Sequence, residues 1–380
     1  MCSFVKSPSL SEIIADEIAQ LGPMPFARFM ALALYHPELG YYTSGQAAIG
    51  RKGDFYTNVS VGPAFGQVLA SQLTEMWERL GSPGEFVLVE QGAHDGQLAA
   101  DILTQAEEPF ASALRYHIVE PSPNLQQRQE EKLASFADKV AWFRDLESLP
   151  QFRGVHLSNE LIDALPFHLV QSQGEAGWRE LLVSNDEGGF AFTTGELSPA
   201  LGEVSQPLPV RPEGYLLELR PQGAHWLAGV EARLDAGFVL IVDYGYSREQ
   251  IRAPHRSRGT FACFRQHRRD ENLLETPGEK DITSHVDFTD LAEAAAGLGL
   301  VWEGFADQNH FMVGAGEPLL KSLEGRTHEP EARKTLRAMQ TLLHPESMGT
   351  QFHYLAFSKN AGGPILRGFR YGRNAETLRA

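Results

Sequence analysis

Four short stretches of the chain carry polar side chains at spacings that suit chemistry. The first, VEQGAHDGQLAADIL (Val89–Leu103), sets Glu90, Gly92, His94 and Gly96 at every second position. It reads as a strand ending in an acid, a turn of small residues, and then a helix. A doubly wound α/β protein holds a nucleotide-like ligand at such a turn. Gly92 lets the backbone turn and approach the ligand closely, and a helix N-terminus favours an anionic group. The second is Glu120, closing RYHIVE 30 positions after Glu90 (120 − 90). A carboxylate at a strand's carboxyl end is a bidentate acceptor for two ribose hydroxyls. The third, LSNELIDALP, offers Asn159, Glu160 and Asp163; the fourth, VLIVDYG, brings Asp243 and Tyr244 to the end of a long apolar run.

The glycine spacing narrows the ligand. A dinucleotide fingerprint, G-x-G-x-x-G counted from Gly92, meets His94 and Gln97 where it needs glycine. A nicotinamide-dependent oxidoreductase is therefore disfavoured. The pattern E-x-G-x-G-x-G fits at Glu90, Gly92 and Gly96, with His94 in the middle glycine's place. Each stretch also has a plain structural reading: a tight turn without ligand, a solvated strand end, or Asn159 capping a helix that holds Leu161 and Ile162. Three successive polar strand ends facing one crevice favour a ligand.

Strands alternating with helices must position these residues. EFVLVE, RYHIVE, KVAWF, GVHLS, GFVLIVDYG and QFHYLAFSK read as strands, and QLAADILTQAEE and SPNLQQRQEEKLASF as helices. Such alternation predicts a Rossmann-like, doubly wound, mainly parallel sheet with right-handed crossovers. Residues 1–80 read as an N-terminal helical segment and a covering loop. SLSEIIADEIAQLG is a helix capped by Ser9 or Ser11, PFARFMALALY a second helix ending near Pro37, and AFGQVLASQLTEMWERLG a third. Residues 81–358 form the core, with a β insertion around 167–215 opened by the hairpin FHLVQ/WRELLVS and a helical insertion around 316–348. Residues 359–380 lack an apolar period and read as a disordered tail.

Composition sets outer limits. Of 380 residues, 42% are hydrophobic and 22% charged, an ordinary globular balance. A formal charge of −16 argues against a diffuse nucleic-acid footprint. The exception is Arg252–Arg269, with six arginines, read as a solvated loop. Cys2 and Cys263 make neither a disulfide framework nor a Cys-rich metal site, and His285 has no further ligands at a recognisable spacing, so no metal is expected. The N-terminus is neither a secretory signal nor a transit peptide, and no apolar run spans a bilayer. The expectation is a cytoplasmic protein, neither inserted in a membrane nor bound to nucleic acid, with its oligomeric state left open.

Taken in order, RFMALALYHPELGYY, GDFYTNVSVGPAFG, VEQGAHDGQLAADIL, YHIVEPSPNLQQRQ, LSNELIDALPFH, VLIVDYGY, RGTFACFRQH and DITSHVDFTDL resemble the MidA-like S-adenosylmethionine-dependent methyltransferases. That family comprises a mitochondrial complex I assembly methyltransferase and bacterial relatives, and the likeness runs from about residue 10 to 358. It implies a class I methyltransferase core, S-adenosylmethionine as methyl donor and a protein substrate, an arginine in the mitochondrial members. Glu90, Gly92, His94, Gly96, Glu120 and Asn159 then fall on cofactor contacts. Asp54 and Tyr56, in the irregular GDFYT stretch, close over the cofactor or only pin the loop. Two departures stand out: His94 replaces a family glycine, and Thr57–Val61 lacks the acid of the family's T-S-P-E-I-S. The His94 ring either covers the cofactor pocket or donates to the cofactor's carboxylate.

For an arginine acceptor, carboxylates must hold a cationic guanidinium in a fork and help remove a proton. Glu160 and Asp163, three apart and so on one face of a helical turn, are the candidates, with Tyr244 stacking on the cation or bonding the acceptor. His285 and Asp287 form a candidate polar lid. The competing reading is a non-catalytic assembly or binding protein on the same fold, favoured by His94 and the altered 57–61 loop.

Overall fold

The computed structural model describes residues 8–44, 57–203, 208–265, 268–373 and 378; Asp54 and Tyr56 lie outside them. The chain opens with α1 (Leu10–Leu21), where Ser9 and Glu12 make a reciprocal capping box. β1 (Met24–Pro25) and α2 (Phe26–Tyr35) follow. α2 stops because Pro37 pushes His36 into extended backbone, ψ 130°. The long α3 is Ala64–Arg79.

From here strand and helix alternate: β2 (Phe86–Gln91), α4 (Gln97–Gln105), the short α5 (Phe110–Ala113), β3 (Leu114–Val119), α6 (Pro123–Lys132), β4 (Val140–Phe143) and β5 (Phe152–Asn159). Ser122 caps α6 and Pro123 supplies its first turn, where the absent N–H costs nothing. A β excursion follows, with β6 (His168–Ser172), β7 (Trp178–Asp186), β8 (Gly189–Gly195) and β9 (Leu216–Leu219). The core resumes with α7 (Pro221–Arg233) and β10 (Leu234–Tyr246). After α8 (Arg248–Ile251) come β11 (Ala262–Arg265), β12 (Arg268–Asp270), β13 (Asp281–Thr283), β14 (Val286–Asp287) and α9 (Phe288–Gly297). The last part holds β15 (Val301–Asp307), α10 (Gln308–Ala315), α11 (Glu317–Ser322), α12 (Pro330–Leu343) and β16 (Phe352–Lys359).

The main sheet runs β15-β16-β10-β5-β2-β3-β4, with β14 pairing beside β10. The five strands from β10 to β4 are mutually parallel; β16 is antiparallel to both its neighbours. In chain order the row reads 6-7-5-4-1-2-3, so the switch point lies between β5 and β2. Helices cover both faces, which is why β2 and β10 are continuous apolar runs rather than alternating ones. One core holds α3, α4 and α10 against the sheet through residues such as Phe65, Ile102 and Phe311; the other holds α7 and α9 through Trp226 and Leu291. α3 thus belongs to the core rather than to the N-terminal segment. α1 and α2 instead share a third apolar cluster with β6 and β7, and β1 adds a strand to that insertion sheet.

The expectation of a disordered tail is corrected over its described residues. Leu366 and Phe369 are buried, and Arg367 pairs with Glu75. The seat is made by small residues: a Cβ on Gly304 would fall 2.3 Å from the Phe369 ring, and one on Gly314 would fall 2.1 Å from the Arg367 carbonyl. Sequence periodicity misses such a segment because two anchors without a repeat suffice. Phe369→Ala is expected to cost about 3–5 kcal/mol, read as a lower midpoint in urea denaturation.

Candidate active site

The carboxyl ends of β2, β3, β5 and β10 open into a cavity of about 870 Å³. Its floor is the turn after β2. Gly92, His94 and Gly96 have φ of 84°, 47° and 78°, with Ala93 and Asp95 between them outside that left-handed region, and the Gly96 amide donates back to the Ala93 carbonyl at 2.8 Å, so the backbone curls before α4. The first turn position needs glycine twice over: left-handed backbone, and Leu161 Cδ1 only 3.3 Å from where a Cβ would lie. His94 adopts the left-handed conformation as a non-glycine residue, which costs about 1 kcal/mol or more. Its carbonyl accepts from Gln129 Nε2 at 2.8 Å, its ring lines the cavity, and its Nε2 is buried without a partner.

Glu90, next to last in β2, is buried and accepts from Tyr116 Oη at 2.6 Å. Burial, partly offset by that bond, pushes its carboxyl up to about 7. The folded state therefore keeps the proton longer than the unfolded one. The stability Glu90 contributes is complete below its ordinary range and is lost as pH rises through about 7. Glu90→Gln keeps an acceptor for Tyr116 and removes the buried charge. It should leave the ligand-free melting temperature unchanged at pH 5 and raise it at pH 8, by the equivalent of about 1–3 kcal/mol.

Glu120 ends β3 beside that turn. Its Oε1 accepts from the Ser122 amide at 2.8 Å and its Oε2 from Gln129 Nε2 at 3.0 Å. Both oxygens retain lone pairs for a ligand hydroxyl, and burial raises its pKa.

Beyond β5 the chain makes a turn, not the expected helix. Glu160 has φ 53°, and Asp243, at the end of β10, accepts from the amides of Ile162 (2.8 Å) and Asp163 (3.3 Å). With no helix after β5 the alternative of Asn159 as a helix cap falls away; Asp243 instead holds the turn's amides, and it is not among the residues lining the cavity. Asn159 Nδ2 meets Glu160 Oε1 at 3.3 Å, and its Oδ1 is buried without a partner. Burial, reinforced by Asp163's charge, pushes Glu160 up to about 8. Asp163 is also raised by burial; its Oδ2 accepts from Thr283 Oγ1 at 2.8 Å and its Oδ1 is buried without a partner. Glu160 and Asp163 share the cavity wall through this turn rather than through a helical face. Tyr244 lines the cavity with its ring 3.9 Å from that of Phe352, and burial raises its hydroxyl, with Glu160's charge adding to it.

The structure adds residues that spacing did not single out. Tyr35 and Tyr42 line the cavity from the N-terminal segment; Tyr35 Oη donates to the Ala164 carbonyl at 2.9 Å and Tyr42 Oη to Asp281 Oδ1 at 2.6 Å. Asp281 and Thr283 come from β13, inside the DITSHVDF stretch whose His285 and Asp287 were the lid candidates. His285 does face the cavity, its ring held well on the neutral side, down to about 4, by burial and then Arg256. Asp287 does not: it caps α9, accepting from the amides of Thr289 and Asp290, and faces Arg248. That part of the lid expectation is corrected. Among the described residues no cluster of three or more His, Cys, Asp or Glu suits a metal ion, and no helix is long and apolar enough to cross a membrane.

This strand order, with its single antiparallel seventh strand and a glycine turn beside a strand-end acid, is that of a class I methyltransferase fold. A family model described as S-adenosyl-L-methionine-dependent methyltransferase matches residues 68–306. A Drosophila melanogaster protein, the mitochondrial protein arginine methyltransferase NDUFAF7 homolog, is 31% identical, covering 92% of this chain and 84% of its own. Human NDUFAF7, a mitochondrial protein arginine methyltransferase, is 28% identical over 94% and 85%. A Burkholderia thailandensis crystal structure with S-adenosyl-homocysteine bound superposes with a TM-score of 0.84 at 30% identity, covering 96% of this chain and 95% of that one. The chain belongs to the MidA-like family of S-adenosylmethionine-dependent methyltransferases. It is a methyltransferase and its cofactor is S-adenosylmethionine. The non-catalytic reading is not favoured. The cytoplasmic expectation is overturned by the mitochondrial location in the names of these relatives; an N-terminus read alone had suggested otherwise.

The residues present fit that cofactor. Four buried atoms able to accept a hydrogen bond lack partners among the described lining residues, His94 Nε2, Asn159 Oδ1, Asp163 Oδ1 and His285 Nδ1, and the first belongs to the glycine-turn floor.

Proposed function

We propose that this methyltransferase acts on an arginine side chain of a protein. The observation carrying the reading is the half-buried carboxyl pair Glu160 and Asp163 on the cavity wall, both raised by desolvation. Arg220 donates through Nε to the Leu165 carbonyl and through Nη2 to the Asp163 and Ser284 carbonyls and Ser284 Oγ, and its charge offsets only part of the burial that holds Asp163 up. A guanidinium is the complement of such a pair: permanently charged, planar, with donors in a fork. Its arrival would supply the charge that lets both acids ionise. The names of the Drosophila and human relatives support the same acceptor.

When bound, S-adenosylmethionine supplies a methyl group on a positively charged sulfur, transferred in line, with S-adenosylhomocysteine as the leaving group. The chain's residues do the rest. Gly92, His94 and Gly96 shape the concave backbone for the amino-acid end, with His94 Nε2 facing it. Glu120 accepts the ribose hydroxyls. Glu90 stiffens the turn through Tyr116, and Asn159 Oδ1 offers one further acceptor. Glu160 and Asp163 grip the guanidinium; Glu160 takes the proton that the nitrogen sheds on gaining the methyl. Tyr244 presents its ring to the cation. Proximity and exclusion of water supply most of the acceleration.

The test is a set of paired peptides, identical but for arginine or lysine at one position, incubated with isotope-labelled S-adenosylmethionine and mapped by mass spectrometry. Label on arginine alone is expected. Equal label on lysine, or label on a carboxyl or hydroxyl group, would overturn the reading.

A further inference from the structure

The left-handed histidine in the cofactor turn calls for something that holds it. Gln129, on α6, is fully buried, and its amide bonds three ways. Trp142 Nε1 donates to its Oε1 at 3.0 Å, while its Nε2 donates to the His94 carbonyl at 2.8 Å and to Glu120 Oε2 at 3.0 Å. The orientation of the amide is not arbitrary. An indole N–H can only donate, so the atom facing Trp142 is the oxygen; a carbonyl and a carboxylate can only accept from the other end unless the acid is protonated. The Gln129 side chain also packs under the turn: its Cγ lies 3.5 Å from where a Cβ on Gly96 would sit.

We propose that Gln129 is the positioning residue of the cofactor site, holding His94 in the left-handed turn and aligning Glu120 with the same nitrogen. A glycine at position 94 would reach that conformation unaided; histidine does so against its backbone preference. The brace therefore matters more in this chain than it would with glycine there. The inference rests on cofactor binding and not on the identity of the methyl acceptor.

A double-mutant cycle tests it. S-adenosylhomocysteine is titrated calorimetrically into the full chain, Gln129→Leu, His94→Gly and the double variant, with melting curves of the ligand-free proteins alongside. Gln129→Leu should raise Kd about tenfold or more in the His94 chain, and only about two- to threefold in the His94→Gly background. The residual loss would report the Glu120 contact. Gln129→Met, unbranched and without a donor, takes its place should Gln129→Leu melt below the assay temperature. Equal losses in both backgrounds would reduce Gln129 to a packing residue and overturn the proposal, as would an unchanged Kd in the His94 chain.

Discussion

Glu160→Gln should lower methyl transfer by about a hundredfold or more while S-adenosylhomocysteine binds within about twofold of the parent protein. The substitution keeps an acceptor for Asn159 Nδ2 and removes the charge and the proton acceptor. Loss confined to turnover separates an acceptor-side role from a cofactor contact. The stability readout is independent. Glu160's carboxyl lies at about 8 in the ligand-free fold, above its ordinary range, so its contribution to stability is full in acid and is lost as pH rises through about 8. Glu160→Gln should therefore leave melting unchanged near pH 5 and raise it near pH 9. Turnover equal to the parent's would remove Glu160 from the mechanism.

Glu120→Ala should weaken S-adenosylhomocysteine by about a hundredfold, the loss of two charge-assisted hydrogen bonds to ribose hydroxyls. Part of that loss is reorganisation, since the Ser122 amide and Gln129 Nε2 would lose their acceptor. Glu120→Gln separates the two contributions in part: its oxygen keeps the Ser122 contact and an acceptor for the ribose, its NH2 leaves Gln129 Nε2 without one, and its loss should be roughly tenfold. An unchanged affinity in Glu120→Ala would mean that the ribose lies elsewhere.

What the sequence disclosed follows from where strands end. Glu90, Glu120 and Asn159 are polar residues closing apolar runs, and a parallel sheet brings all such ends to one edge; Tyr244 reached the cavity by the same logic. His94 was legible as a misfit to a glycine pattern, and its φ of 47° lies in the left-handed region that glycine favours. What lay hidden depends on contacts between distant segments. Tyr42 reaches Asp281 across 239 positions, and no local period records that. Asp243 stood with Tyr244 at the end of an apolar run, yet two amides about 80 positions upstream claim it. Asp287 carried the same ambiguity and resolved as a helix cap. Gln129 sat unnoticed on a polar helix, because a buried amide and an exposed one look alike in sequence.

The measurement that bears most directly on the whole account is calorimetric titration of the purified full chain with S-adenosylhomocysteine. One-to-one binding that Glu120→Ala weakens by at least an order of magnitude is the predicted result. No heat at millimolar ligand, in a protein whose melting curve shows it folded, would contradict the assignment of the Gly92 turn and Glu120 as the cofactor site.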